Sequence, residues 1–161
     1  MFNIILFSPQ IPPNTGNIIR LSANTGVWLH LIKPLGFDLE EKSCRRARLD
    51  YGKINDVAIH DQLDDCLESL SWPQVFVITS KGKKNFYDKS FRPGSTFLFG
   101  SETAGLPGDI RKKFPSENSL RLPMTKGNRS LNLANAVSIV IYEAWRQIGF
   151  PGNKKIPGNS M

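Results

Sequence analysis

Long apolar runs are missing from this chain of 161 residues. Stretches such as Ile4-Ile5-Leu6-Phe7 and Val75-Phe76-Val77-Ile78 fall far short of the ~20 residues that cross a bilayer, so no membrane span is expected. The amino terminus lacks a basic stretch followed by an apolar core and a small-residue cleavage site, so no signal peptide is expected either. Cysteine is scarce. Cys44 and Cys66 form no C-x-x-C pair and have no histidine at metal-ligand spacing. No metal site is therefore expected, and two unpaired thiols suit a reducing cytoplasm. The two histidines, His30 and His60, sit in strand-like stretches with no acid or nucleophile in a recognisable motif beside them, and read as structural or surface residues. The G-x-G-x-x-G, P-loop and G-x-S-x-G signatures are all absent. Their absence disfavours a nucleotide-dependent oxidoreductase of doubly wound fold. Any cofactor must be held in some other way.

What the chain has in surplus is positive charge: 21 Lys and Arg against 14 Asp and Glu, a net +7. An anionic partner is the natural reading, and nucleic acid is the commonest. A length of 161 residues fits one domain that buries about 68–70% of its unfolded surface, which needs no disulfide or metal. Residues 1–150 read as that single domain and 151–161, rich in Gly, Pro, Asn and Lys, as a loose tail.

Patterning alternates strand and helix. Strands are expected at 2–7, 28–33, 53–59, 75–79, 96–99 and 120–122, where β-branched and aromatic residues cluster. Pro9, Pro12 and Pro13 are expected to block regular structure, delaying the first helix to about Thr15, with Asn14 or Thr15 as its cap and Gly26 as its stop. Further helices are expected at 39–48, from an Asp61 cap to about Leu70, at 107–113, and at 131–148, where Leu133, Val137, Ile141 and Ala144 recur at helical spacing. This order predicts an α/β fold, a mostly parallel sheet with helices on both faces and ligands at the carboxyl ends of the strands.

Three irregular segments follow strands there: Ile11 to Arg20, Phe99 to Pro107 and Leu122 to Asn135. Each mixes amides, hydroxyls and charges with Gly and Pro, the residues that fix unusual backbone shapes. Asn14 precedes Arg20 by six residues. Gly100, Glu102 and Gly105 make a G-x-E-x-x-G after a strand. Pro123-Met124 leads to Ser130-Leu131-Asn132 and a long helix. Together these resemble the three signature motifs of the SPOUT superfamily, in its TrmH-like ribose-methylating branch. Ala23-Asn24-Thr25-Gly26, Arg45-Arg46-Ala47 with Leu49-Asp50-Tyr51, and Tyr142 to Gln147 are similar to the branch's small TrmL type, as is the absence of an amino-terminal RNA-binding extension. Two positions depart from the pattern: Ser101 stands where proline is usual, and Ala104 where a basic residue is common.

The resemblance implies a carboxyl-terminal deep trefoil knot and S-adenosylmethionine as methyl donor. It places that cofactor among Ile78, Thr79, Gly100, Glu102, Gly105, Leu122, Met124, Ser130 and Leu131. The implied catalytic set is Arg20, Asn14, Glu102, Ser130 and Asn132. The implied substrate is the ribose 2′-hydroxyl of the wobble nucleotide of tRNA, a C34 or modified U34 of leucine isoacceptors. Lys81, Lys126, Arg129 and Tyr142 would meet RNA, with Lys83, Lys84, Arg45, Arg46 and Arg48 extending the positive patch. Relatives pair as homodimers through the last helix, which makes Tyr142 and Trp145 interface candidates, with core burial the competing account. Other readings keep the fold and change the role: methylation of ribosomal RNA or of another tRNA position, or RNA binding without catalysis.

Overall fold

The structure is a computed structural model that describes residues 1–39, 44, 46 and 57–154. Seven strands are described: β1 Asn3–Phe7, β2 Trp28–Ile32, β3 Ala58–His60, β4 Val75–Ile78, β5 Lys84–Asn85, β6 Thr96–Phe99 and β7 Ser119–Arg121. Four α-helices are described with them: α1 Pro12–Thr25, α2 Leu63–Ser69, α3 Gly108–Lys112 and α4 Leu133–Gln147. The strands form one sheet in the order β3-β2-β1-β6-β4-β7-β5, parallel throughout. The expected α/β architecture is present, with helices on both faces.

The central strands are apolar at nearly every position because both faces are covered. Alternation divides their side chains. Ile4, Leu6, Phe76, Ile78, Phe97 and Phe99 join the core under α1 and α4, where Phe86 and Phe91 complete an aromatic cluster. Ile5, Val75, Val77 and Leu98 join the smaller core under α2. Val137, Val140, Ile141 and Ala144 of α4 are fully buried against the first of these.

Several boundaries differ from expectation. Helix α1 starts at Pro12, three residues early, with both prolines in its first turn. Proline is tolerated there because the first N–H groups of a helix have no intrahelical partner. Two of those orphan donors are simply absent, so Asn14 and Thr15 are not needed as caps. Gly26 ends the helix as expected, in the left-handed conformation with φ 71°. Helix α2 is capped by Gln62, not Asp61, through a reciprocal capping box with Asp65. Helix α4 begins two residues late because Asn132 caps it, its side chain accepting from the Asn135 N–H at 3.2 Å. The short strand β5 was not anticipated, since two exposed polar residues carry no periodic signal. Most of the helix expected at 39–48, Arg45 and Arg48 included, lies outside the described residues; Cys44 and Arg46 within it are helical. The strand expected from 53 is described only from 57, with regular pairing from Ala58. Residues 155–161 of the expected tail also lie outside, while the Pro151 carbonyl accepts from the Trp145 indole at 3.1 Å.

Strand β7 slots between β4 and β5, although β5 and β6 intervene in sequence. The loop from β4 to β5 therefore wraps it closely: Thr79 N–H donates to Leu120 O at 3.0 Å and Lys83 N–H to Ser119 O at 3.2 Å. A Cβ on Gly82 would lie 2.4 Å from the Leu120 carbonyl carbon, an unmovable backbone atom. Gly82→Ala is expected to destabilise the fold by about 1–3 kcal/mol, lowering the thermal midpoint by roughly 2–4 °C per kcal/mol. Gly108→Ala, whose Cβ meets only the Arg111 side chain at 3.8 Å, should leave the midpoint within a degree or two.

Candidate functional site

The three motif segments leave the carboxyl ends of β1, β6 and β7, which are close together in the sheet. One hydrogen-bond chain ties them. The Glu102 carboxylate, from the second segment, accepts from Gln10 N–H at 2.8 Å, just before the first segment, and from Ile11 N–H at 3.2 Å and Asn14 Nδ2 at 3.1 Å within it. Asn132 Nδ2, from the third, donates to Asn14 Oδ1 at 2.9 Å. The Asn14 amide is buried, and both of its ends are used. A carboxylate beside the start of α1 also suits the positive end of that helix's dipole.

Beside this chain lies a cavity of about 440 Å³, within the usual range of roughly 300–1,000 Å³ for small-molecule sites. Its wall contains all nine residues placed at the cofactor by sequence: Ile78, Thr79, Gly100, Glu102, Gly105, Leu122, Met124, Ser130 and Leu131. Lys81 and Arg129 are also in the wall. Asn14, Arg20 and Asn132 are not. Asn14 and Asn132 reach it only through Glu102. Arg20 is exposed on α1, six residues and roughly 9 Å of helix axis beyond Asn14. Lys126 and Tyr142 are exposed and stand apart from the wall. Trp145 is only 8% exposed within the single chain, packed against Phe150. Core burial therefore accounts for Trp145, whereas Tyr142 remains open at 48%.

The wall also holds residues the sequence reading missed. Arg121 alternates with buried Leu120 and Leu122, a period-two cue that it faces out of the core. Arg111, from α3, carried no such cue. With Lys81 and Arg129 they make four cationic side chains around one cavity, an electrostatic draw for an anion.

The loop after β6 folds back on itself. Ser101 and Gly105 exchange backbone hydrogen bonds at 3.2 and 3.0 Å, and Gly105 has φ 66°. A Cβ on Gly100 would sit 2.1 Å from Gly105 C and Leu106 N, so only glycine permits the fold-back. Ser101, the departure from the usual proline, accepts from Ala104 N–H at 3.3 Å and helps hold the turn. Such a wall fits S-adenosylmethionine: apolar side chains for a flat ring, and bare loop backbone for its polar edge.

A second cluster was not anticipated. His30, His60 and Cys66, which no sequence spacing joins, converge from β2, β3 and α2 with their ligand atoms within 4.8 Å of one another.

Comparison with known proteins sharpens the reading. The profile of the SpoU rRNA Methylase family matches residues 1–142. A tRNA (cytidine(34)-2′-O)-methyltransferase of Burkholderia ambifaria is 53% identical over 154 residues, covering 94% of this chain and 99% of its own. A solved structure concerned with 2-OH methylation of C/U34 on tRNA superposes with a TM-score of 0.85 at 42% identity, over 92% of this chain and 96% of that one. An AdoMet-bound rRNA methyltransferase of Sinorhizobium meliloti shares the fold alone, with a TM-score of 0.78 at 24% identity over 91% and 56% of the two chains.

If the amide chain holds the site together, its members act as a unit. An Asn14→Ala, Asn132→Ala double-mutant cycle, read by urea unfolding, should give a coupling of about 0.5–1.5 kcal/mol. Strictly additive effects would mean the 2.9 Å contact contributes nothing.

Proposed function

This chain belongs to the SpoU rRNA Methylase family, and from that premise we propose that it methylates the ribose 2′-oxygen of nucleotide 34 of tRNA, with S-adenosylmethionine held in the cavity at the ends of β4, β6 and β7. The observation that carries the reading is the assembly of three motif segments, far apart in sequence, around one cavity. The choice of nucleotide rests on relatives about as long as this chain and 53% and 42% identical to it.

The cofactor supplies an electrophilic sulfonium methyl group. The protein's part is to bind, orient and exclude water. Ile78, Leu122, Met124 and Leu131 would line an apolar slot. Thr79, Gly100, Gly105 and Ser130 would offer hydroxyl and backbone groups, and Glu102 would keep the β6 loop fixed against α1. Lys81, Arg111, Arg121 and Arg129 would draw the phosphate backbone to the cavity mouth, with Lys126 on the neighbouring turn. Arg20 would hold the phosphate beside the target ribose and stabilise negative charge growing on the 2′-oxygen, since a guanidinium stays protonated in proteins and serves poorly as a base.

Arg20 is exposed and outside the cavity wall of its own chain. That supports a homodimer in which α1 of one copy completes the site of the other. Exposed Ile139 and Tyr142, three residues apart on α4, supply an apolar face for such pairing. A trefoil knot is supported by the insertion of β7 between β4 and β5, with the loop at Gly82 packed closely against it.

Labelled methyl transfer to tRNA from cells lacking this protein tests the reading. Arg20→Ala should lose about 10²–10³-fold in turnover, the usual effect of removing one charge-stabilising donor, while S-adenosylmethionine affinity by calorimetry stays within twofold. Transfer to ribosomal RNA but not tRNA would replace the substrate and keep the chemistry. Equal loss of cofactor affinity would move Arg20 into the cofactor site.

A further inference from the structure

A cluster of metal-binding side chains stands away from the cavity, separated from β6 by β1. Alternation turns His30 of β2 and His60 of β3 toward the face covered by α2, because both share the side of the sheet occupied by Ile5 and Ile32. Helix α2 follows β3 almost at once and lays Cys66 over them. One ligand atom from each residue lies within 4.8 Å of the other two. The ring nitrogens His30 Nδ1 and His60 Nε2 are 3.1 Å apart. In a tetrahedral zinc site, bond lengths of about 2.0–2.3 Å put neighbouring ligand atoms roughly 3.3–3.6 Å apart. The histidine nitrogens, in hydrogen-bond contact at 3.1 Å, lie slightly closer than that, and the thiol lies within 4.8 Å of the ligand atom of each ring.

We propose that His30, His60 and Cys66 bind a thiophilic transition-metal ion of the zinc class, through two imidazole nitrogens and one thiolate, with water in a fourth position.

The mix of ligands selects the class: imidazole and thiolate suit zinc and its neighbours and do not suit magnesium or calcium. His30 is 7% exposed, and its Nε2 has no hydrogen-bond partner among the described residues. The nitrogen that faces His60 is Nδ1, so a bound ion would take the place of the His30–His60 hydrogen bond. Burial pushes the Cys66 thiol up to about 12, which makes it a poor nucleophile by itself. Metal binding forms the sulfur–metal bond and releases the thiol proton to solvent. Partly exposed His60 gives the ion and its water a way in. The bound ion would staple β3, a three-residue strand at the sheet edge, to β2 and α2. It is a site for stability, independent of the methyl-transfer cavity.

The test uses the untagged full chain, stripped with chelator, then titrated with Co²⁺ and separately with Zn²⁺. The expected result is one Co²⁺ per chain with a thiolate-to-cobalt charge-transfer band and the visible bands of a tetrahedral ion. The band should vanish in Cys66→Ser and persist in Cys44→Ser. Zn²⁺ at a hundredfold excess over its dissociation constant should raise the thermal midpoint by roughly 5–10 °C, and His60→Gln should reduce that rise at least severalfold. If Cys66→Ser does not fold, the wild-type stoichiometry and the His60→Gln comparison decide the matter. Absence of a charge-transfer band in folded wild-type protein, or a band that survives Cys66→Ser, overturns the proposal.

Discussion

Two backbone N–H groups of the β1–α1 connection and the side-chain amide of Asn14 in the first turn of α1 converge on the carboxylate of Glu102. Much of the site depends on that convergence. Bonds from N–H groups to a charged acceptor are stronger than neutral ones, and here they anchor the β6 loop to the start of a helix 91 residues earlier. The same contacts leave Asn14 facing Asn132, so the third segment and the cap of α4 are set by the first two. The two prolines make this possible. By starting α1 without N–H groups to satisfy at Pro12 and Pro13, they release Asn14 from capping duty.

Sheet order supplies the second constraint. With β7 between β4 and β5, the β4–β5 loop lies close against it, and Gly82 and Gly100 stand where close approach leaves no room for a Cβ. The cavity is the space left between these closely packed loops. Its polar character comes from backbone and short side chains, and its positive charge from arginines and a lysine on the surrounding elements.

The strands and long helices were legible because their signals are local. Continuous runs such as Val75 to Ile78 and Thr96 to Phe99 fall where doubly covered parallel strands should, and the α4 residues repeat at helical spacing. Seven of the nine cavity residues lie in the second and third motif segments, whose spacing is unusual, while Ile78 and Thr79 at the end of β4 came from the resemblance alone. What stayed hidden is non-local. No local pattern reports that β7 inserts between strands separated from it by β6. No spacing rule joins His30 to His60 and Cys66, because they meet through strand pairing and a helix crossing. The choice between interface and core for Tyr142 and Trp145 stayed open for a related reason: the 131–148 pattern cannot say which aromatic is packed against Phe150 and Pro151 of the following turn.

The most direct check on the central claim is the location of the methyl group. Nuclease digestion and mass spectrometry of tRNA treated with this protein and S-adenosylmethionine should find a single 2′-O-methyl ribose, at the first anticodon nucleotide. A methyl group on a base, or on a ribose elsewhere in the tRNA, would contradict the account.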